Sequence, residues 1–330
     1  MKSSPAARPL LWPFVPIYQL GLALHELQFR SGLKPVRRLK WPVVSIGNLT
    51  AGGAGKTPLT VALAKALSAR GLHVDVLSRG YGRRSTLPLT VNPDGVAADF
   101  GDEPLVIARD ANVPVYVATE RYEAGLLAER DATGQFGIHL LDDGFQHRQL
   151  ARDIDILLLS RRDLADHLLP TGNLREELRA AKRANVIAIP ADESDVEIEI
   201  RKRGWKAQTW RVRRRMEIPH LDGPAAAFCG IARPDQFFQG LESAGVKLAA
   251  RIAFADHHNY TAADLASIAA AASKAGATVL FTTEKDRVRI GALAAKVSAA
   301  LPIQTVKLRI EIEDEDAAID WLIHSLKDPA

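Results

Sequence analysis

The segment Thr50-Ala51-Gly52-Gly53-Ala54-Gly55-Lys56-Thr57 constrains this chain more than any other. It follows the strand-like apolar run from Trp41 to Ile46 and leads directly into an alanine-rich helical pattern. Small residues at such a junction leave backbone N–H groups free to wrap a phosphate, and the helix that follows turns its positive end on the same point. Lys56 adds a full positive charge, and the Thr57 hydroxyl suits Mg²⁺. The general G-x-x-x-x-G-K-[ST] spacing requires glycine at position 50, where this chain has Thr50. A turn between strand and helix can take the same form without binding a nucleotide.

Downstream, apolar strands alternate with helices, and the polar loops that follow several of the strands carry the chemistry. His73 to Leu77 is followed by Ser78-Arg79-Gly80-Tyr81-Gly82-Arg83. Gly101-Asp102-Glu103-Pro104 opens a helix, where acidic residues also serve as simple caps. Val113 to Val117 precedes Thr119-Glu120-Arg121. Gly137 to Leu141 ends in Asp142-Asp143-Gly144-Phe145-Gln146-His147, and a carboxylate at that point, downstream of a phosphate loop, is placed to hold Mg²⁺ or its waters. Two aspartates before a glycine also make an ordinary turn. Asp153 to Leu159 is a further strand, Pro170 to Glu176 supplies Arg175 and Glu176, and Ala184 to Ile189 closes the section. This alternation predicts an α/β fold, with ligand loops at the strand ends.

From about residue 193 the pattern changes. Val196 to Arg214 alternates as a two-stranded antiparallel ribbon would, with a turn near Gly204. Its arginines, Arg211 and Arg213 to Arg215, suit a charged sheet edge. After Pro224, strand and helix alternate again, as in a second, smaller α/β domain, with Asp256-His257-His258 at a strand end. The expected division is an N-terminal interfacial helix (1–35), a nucleotide-binding core (36–192), a β-ribbon linker (193–223) and a smaller α/β domain (224–330).

The N-terminus sets this chain apart from an ordinary soluble nucleotide-binding protein. Leu10 to Leu24 contains no charge and is flanked by Lys2 and Arg8 on one side and Arg30, Lys34, Arg37, Arg38 and Lys40 on the other. The run is too short to cross roughly 30 Å of hydrocarbon, and no small-x-small cleavage site follows it. Leucines at 20, 22, 24 and 27 with Phe29, together with Trp12 and Tyr18, fit a helix lying in a headgroup layer. The same helix packed on the protein core is the alternative. A net charge of +4 over 330 residues gives no reason to expect nucleic acid, and one cysteine, Cys229, excludes an intrachain disulfide and a cysteine zinc cluster.

Taken together, SIGNLTAGGAGKTP, SRGYGR, GDEP, LDDGFQH, PTGNLRE, FCGIARP, FADHHNYT and TTEKD, in that order, closely resemble the tetraacyldisaccharide 4′-kinase family of Gram-negative bacteria. The resemblance implies a P-loop kinase fold, with a second α/β domain joined by a β-ribbon and a helix that docks on the cytoplasmic face of the inner membrane. It also implies transfer of the γ-phosphate of ATP to the 4′-hydroxyl of a tetraacylated glucosamine disaccharide 1-phosphate, with Mg²⁺ and without an obligate protein partner. Residue by residue it assigns Asp102 as the base and His257 as its partner, with His258 open by one position. Thr50 to Thr57 would cradle ATP, with Lys56 on its β- and γ-phosphates. Thr57, Asp142, Asp143 and Glu176 would organise the metal. Arg175 and His147 would stabilise transferring charge or position the reactants, Arg79 and Tyr81 would meet the lipid headgroup, and Arg121 would lie near the substrate. A soluble NTPase switch is the competing reading, but the chain lacks an N-K-x-D guanine motif.

Overall fold

A computed structural model describes residues 8–53, 55–220, 223–295 and 301–327. Lys2 and Ala54 of the segments discussed above fall outside them.

Among the described residues twelve strands form one sheet. In chain order they are β1 (Val43–Asn48), β2 (His73–Ser78), β3 (Leu89–Thr90), β4 (Val115–Val117), β5 (Gly137–Asp142), β6 (Ile154–Leu158), β7 (Val186–Pro190), β8 (Gln208–Glu217), β9 (Ala225–Cys229), β10 (Leu248–Ala253), β11 (Val279–Thr283) and β12 (Ile303–Ile312). Their spatial order is β10-β9-β11-β12-β8-β7-β6-β1-β5-β2-β4-β3. All pairings are parallel except β3 with β4 and β8 with β12. Two parallel halves therefore meet at one antiparallel seam.

The first half is organised around β1, which runs between β5 and β6 and is buried at every position. A strand covered on both faces reads as a continuous apolar run, as Trp41 to Ile46 does. Its one glycine has a packing reason: a Cβ on Gly47 would lie 2.5 Å from the Cβ of Phe145. The helix Lys56–Ala69 buries Leu59, Leu63, Ala64 and Leu67 against this half. The second half has its own apolar cluster, with Phe228, Leu265, Ile268 and Leu280 at its centre.

The expected ribbon is corrected by the structure. Ser194–Lys202 is a helix, and β8 finds its antiparallel partner in β12, from Lys307↔Glu217 to Ile312↔Val212. The period-2 reading of IEI was misleading. Val196 and Ile200, four residues apart, face the core, while Ile198 is 54% exposed. Glu197 with Arg201 and Glu199 with Arg203 form i,i+4 pairs along the helix, the spacing that supports a helix rather than a strand. Of the arginine cluster, Arg213 and Arg215 meet Glu313 and Glu311 across the seam.

At the N-terminus a 3-10 turn, Pro9–Phe14, runs into the helix Val15–Arg30, with a proline accommodated in its first turn. Ile17, Leu20, Leu24 and Leu27 form one exposed stripe at helical spacing. The helix is tied down by polar contacts: Gln19 donates to Glu177, and Glu26 pairs with Arg148. Among the described residues no helix is long and apolar enough to cross a membrane.

Candidate active site

The loop after β1 is held from several sides. Gly55 takes a left-handed conformation (φ 93°) and precedes the helix that begins at Lys56, a backbone region that favours glycine. Thr50 is buried. Its hydroxyl accepts from the Asn48 amide at 2.9 Å and donates to Asp163 at 3.1 Å. The Ala51 N–H donates to the carbonyl of Asn173 at 2.8 Å, so the PTGN segment braces the loop. Gly52 lies against Ala232, where a Cβ would approach to 3.1 Å, and Gly53 has open space around it. The Lys56 ammonium donates to Asn48 Oδ1 at 3.0 Å and lies 3.4 Å from Asp143. Thr57 is buried in the first helical turn.

The two aspartates that end β5 behave differently. Asp142 is buried and accepts a hydrogen bond from the Thr60 hydroxyl at 3.1 Å. Burial, reinforced by the charges of Glu103 and Asp143, pushes its carboxyl up to about 7. Burial would raise Asp143 as well, but Lys56 and Arg175 outweigh it and hold that carboxyl well below the usual range. Arg175 grips Asp143 through both terminal nitrogens, at 3.2 and 2.9 Å, and Asn48 Oδ1 at 2.7 Å. Glu176 stands apart from this group: Arg183 binds both of its carboxylate oxygens, at 2.8 and 3.1 Å. Among the described residues no group of three or more His, Cys, Asp or Glu side chains is arranged to hold a metal.

Asp102 opens the helix Asp102–Ala111 and is buried. The turn before it is crowded, since a Cβ on Gly101 (φ 88°) would lie 2.9 Å from the Cα of Gly80. The SRGYG loop and the GDEP turn are thus packed together. The second half of the molecule reaches Asp102 with two side chains. Arg289 binds Asp102 Oδ2 through Nε at 2.8 Å and through Nη2, and His257 Nδ1 lies 3.3 Å from the same oxygen. Burial works against ionisation of Asp102, but the hydrogen bond that His257 gives when its Nδ1 is protonated and the charges of Arg289 and Lys285 hold its carboxyl well below the usual range. The hydrogen bond to Asp102 raises His257, with burial and Arg289 opposing. The two neighbouring histidines separate clearly: His258 turns to Asp264 at 3.2 Å and stacks on Phe254. A second ion pair, Lys285 with Glu103, lies beside the first.

The remaining candidates group around this cleft. The exposed ring of Tyr81 lies 5.2 Å from that of His257. Arg121 is buried, donates to the Thr119 carbonyl at 3.0 Å and leaves its Nε without a partner among the described residues. Burial, with Arg79 adding its repulsion, lowers Arg121 to about 10. Burial together with Arg121, Arg152 and Arg79 lowers His147 to about 3, so it is neutral near pH 7, with a buried Nε2 that has no partner among the described residues. A buried guanidinium N–H without a partner among the described residues, beside further arginines, suits an anionic ligand.

Sequence reasoning missed Arg289, Lys285, Asn48 and the pairing role of Glu103. A partial signal existed for the first. Arg289 is three residues beyond Asp286 of the TTEKD segment, on the same helix face, and it pairs with Asp286 at 3.1 Å.

Fold and site together define an α/β protein in which a lysine-bearing strand–loop–helix junction meets paired aspartates and an aspartate–histidine–arginine cluster. A family model described as tetraacyldisaccharide-1-P 4'-kinase matches residues 7–327. The tetraacyldisaccharide 4'-kinase of Koribacter versatilis is 42% identical over 94% of this chain and 97% of its own length. That of Parvibaculum lavamentivorans is 39% identical over 94% of this chain and 87% of its own. The crystal structure of LpxK from Aquifex aeolicus in complex with ATP matches with a TM-score of 0.75 at 29% identity, covering 97% of this chain and 99% of that one. The chain belongs to the tetraacyldisaccharide 4′-kinase family and is an enzyme of the kinase class.

Proposed function

We propose that this chain transfers the γ-phosphoryl group of ATP to the 4′-hydroxyl of a tetraacylated glucosamine disaccharide 1-phosphate, at the cytoplasmic face of the inner membrane. One observation carries the reading. The helix that Lys56 opens packs directly against the helix that Asp102 opens, so the candidate base and the phosphate loop sit side by side at the N-terminal ends of packed helices. Such a transfer asks the protein mainly to align nucleophile and phosphate and to offset charge.

The backbone of residues 50–55 with Lys56 would hold the β- and γ-phosphates. The nucleoside would occupy a cavity of about 710 Å³ that includes Asp163, the partner of Thr50, with Leu158, Pro190 and Arg233 in its walls. Mg²⁺ is usually held by one or two carboxylates plus substrate phosphates, and the oxygen donors Thr57, Asp142 and Asp143 suit that mode. Glu176, paired with Arg183 through both carboxylate oxygens, would contribute to the metal site by holding its loop. When bound, the ion would offset phosphate charge. Asp102 would accept the sugar hydroxyl proton, with His257 placed beside it to share that proton. Arg175 would steady the transferring group, and Arg79, Tyr81, Arg121 and His147 would line the path of the anionic headgroup.

The exposed stripe Ile17, Leu20, Leu24 and Leu27 supports docking of the N-terminal helix in a bilayer surface. The deciding experiment supplies purified protein with ATP, Mg²⁺ and a tetraacyl disaccharide 1-phosphate in detergent micelles. Formation of the 4′-phosphorylated product is expected. No product under conditions where ATP binds overturns the reading, and lipid-indifferent hydrolysis of ATP points to a soluble NTPase instead.

A further inference from the structure

We infer that Arg289 is a positioning residue for the transfer, which anchors the Asp102 carboxylate and selects the tautomer of His257 that faces it. The inference rests on the reading of Asp102 and His257 given above, and it adds a residue that belongs to neither role.

Arg289 is almost fully enclosed, with 5% of its side chain exposed. It lies on the helix Glu284–Ile290 and spans two carboxylates. On one side Nη1 donates to Asp286 Oδ1 at 3.1 Å and to the carbonyl of Gly230 at 2.6 Å. On the other, Nε and Nη2 donate to Asp102 Oδ2. Asp286 is itself fixed: it is fully buried and accepts from the Gly230 N–H at 3.0 Å, the Tyr260 hydroxyl at 3.1 Å and the Thr283 hydroxyl at 2.6 Å. A rigid pillar in the second half of the molecule thus ends on the candidate base in the first half. The planar fork of an arginine fixes direction as well as charge, which a flexible ammonium does not.

The second contact decides a tautomer. Arg289 Nη2 lies 3.1 Å from His257 Nδ1. A guanidinium only donates, so this is a hydrogen bond when Nδ1 carries its lone pair and the imidazole proton sits on Nε2. The rival arrangement places the proton on Nδ1, where it donates to Asp102 Oδ2 across 3.3 Å and faces the Arg289 donors. Arg289 and a proton therefore compete for Nδ1. The other charged or titratable groups around the pair are Lys285 and Glu103 beside Asp102, Asp256 at 3.9 Å from His257 Nε2, Tyr81 against the imidazole face, and Asp286 behind Arg289. Of the cations, Arg289 alone touches both Asp102 and His257 among the described residues.

The test uses full-length protein carrying Arg289→Met or Arg289→Lys, with turnover followed from pH 5 to 9 and ATP affinity measured separately. Arg289→Met should lower turnover roughly 100-fold and move the acidic limb of the profile up by about one pH unit, because His257, which titrates within this window, loses a cation that opposes its protonation. ATP affinity should change less than about twofold, a loss well below one hydrogen bond. Arg289→Lys should return the limb toward wild type while restoring only part of the turnover. An equal loss at every pH with an unmoved limb, or wild-type turnover in Arg289→Met, overturns the inference while leaving the kinase reading intact. If neither variant folds, the ¹⁵N shifts of His257 in the wild-type protein at pH 8 decide: the Nε2–H tautomer supports the inference and the Nδ1–H tautomer overturns it. That measurement holds whether or not the kinase assay succeeds.

Discussion

The hydroxyl of Tyr18 donates a 2.9 Å hydrogen bond to the backbone carbonyl of Arg175, which joins the N-terminal helix to the residue that grips Asn48 and Asp143. One face of that helix is therefore wired to the phosphate end of the cleft while the opposite stripe stands free. The two faces separate experimentally. Tyr18→Phe removes one half-buried hydrogen bond, worth about 1 kcal/mol, and should lower turnover a few-fold without loss of binding to vesicles that contain anionic phospholipid. Leu20→Glu places a charge on the stripe and should abolish co-sedimentation with the same vesicles, with ATP affinity in detergent unchanged. Vesicle binding by Leu20→Glu at the wild-type level would remove the case for an interfacial helix.

Asp102 is the residue whose loss should separate chemistry from binding. Asp102→Ala should reduce turnover by roughly 10²–10⁴-fold, the usual span for a general base, while ATP affinity stays near normal. Alanine also leaves Arg289 facing an empty position, so Asp102→Asn serves as the companion: it keeps an acceptor for Arg289 but cannot take the proton. Both variants should be nearly inactive, and the asparagine variant should melt closer to wild type. Parallel loss of ATP binding and turnover in both would make Asp102 a structural or nucleotide residue.

His147 gives a pH dependence whose sign follows from its surroundings. Burial and the nearby Arg121, Arg152 and Arg79 push its imidazole down to about 3, against about 6.5 for a free histidine. Between those values the unfolded chain binds a proton that the folded chain refuses, so stability falls as pH drops below about 6.5 and continues to fall toward 3. No such penalty exists above that window. His147→Gln cannot take up the proton, and its melting temperature should therefore drop less than that of wild type between pH 7.5 and pH 5. In the wild-type protein the His147 ring resonances should stay flat across the same range. A ring that titrates near 6.5 would show that the site is open to water.

The parallel strands and their loops were legible in the sequence because each strand is a short apolar run that ends in a polar turn. The first strand, its loop and the helix from Lys56 lie where the pattern placed them. The region after residue 193 was not, since Val196, Ile198 and Ile200 satisfy a strand period while Val196 and Ile200 by themselves satisfy a helix period. The real partner of β8 enters nearly a hundred residues later, beyond any local pattern. Arg289 escaped for a related reason. On a short helix rich in charge it reads as a solvated face, and only the tertiary approach of Asp102 and His257 gives it a role. The same holds for Asn48, an ordinary strand-end residue until Lys56 and Arg175 converge on its carbonyl oxygen.

Thr50 is where the chain departs from the general phosphate-loop pattern, and the structure gives the departure a physical basis. Its hydroxyl accepts from Asn48 Nδ2 and donates to Asp163 Oδ1. By taking up the amide nitrogen, Thr50 leaves the Asn48 oxygen facing Lys56 and Arg175. Restoring the pattern's glycine should therefore harm the protein. Thr50→Gly strands a buried amide N–H and a buried carboxylate oxygen, at a cost of about 1–3 kcal/mol for an unsatisfied group, and it frees Asn48 to rotate. The expected outcome is a lower melting temperature and ATP affinity reduced roughly tenfold, which equals about 1.4 kcal/mol. Thr50→Ser keeps the hydroxyl and should stay within about twofold of wild type. ATP affinity in Thr50→Gly equal to that of wild type would mean that Lys56 is held without Asn48, and that this hydroxyl serves only the packing of the loop on Asp163.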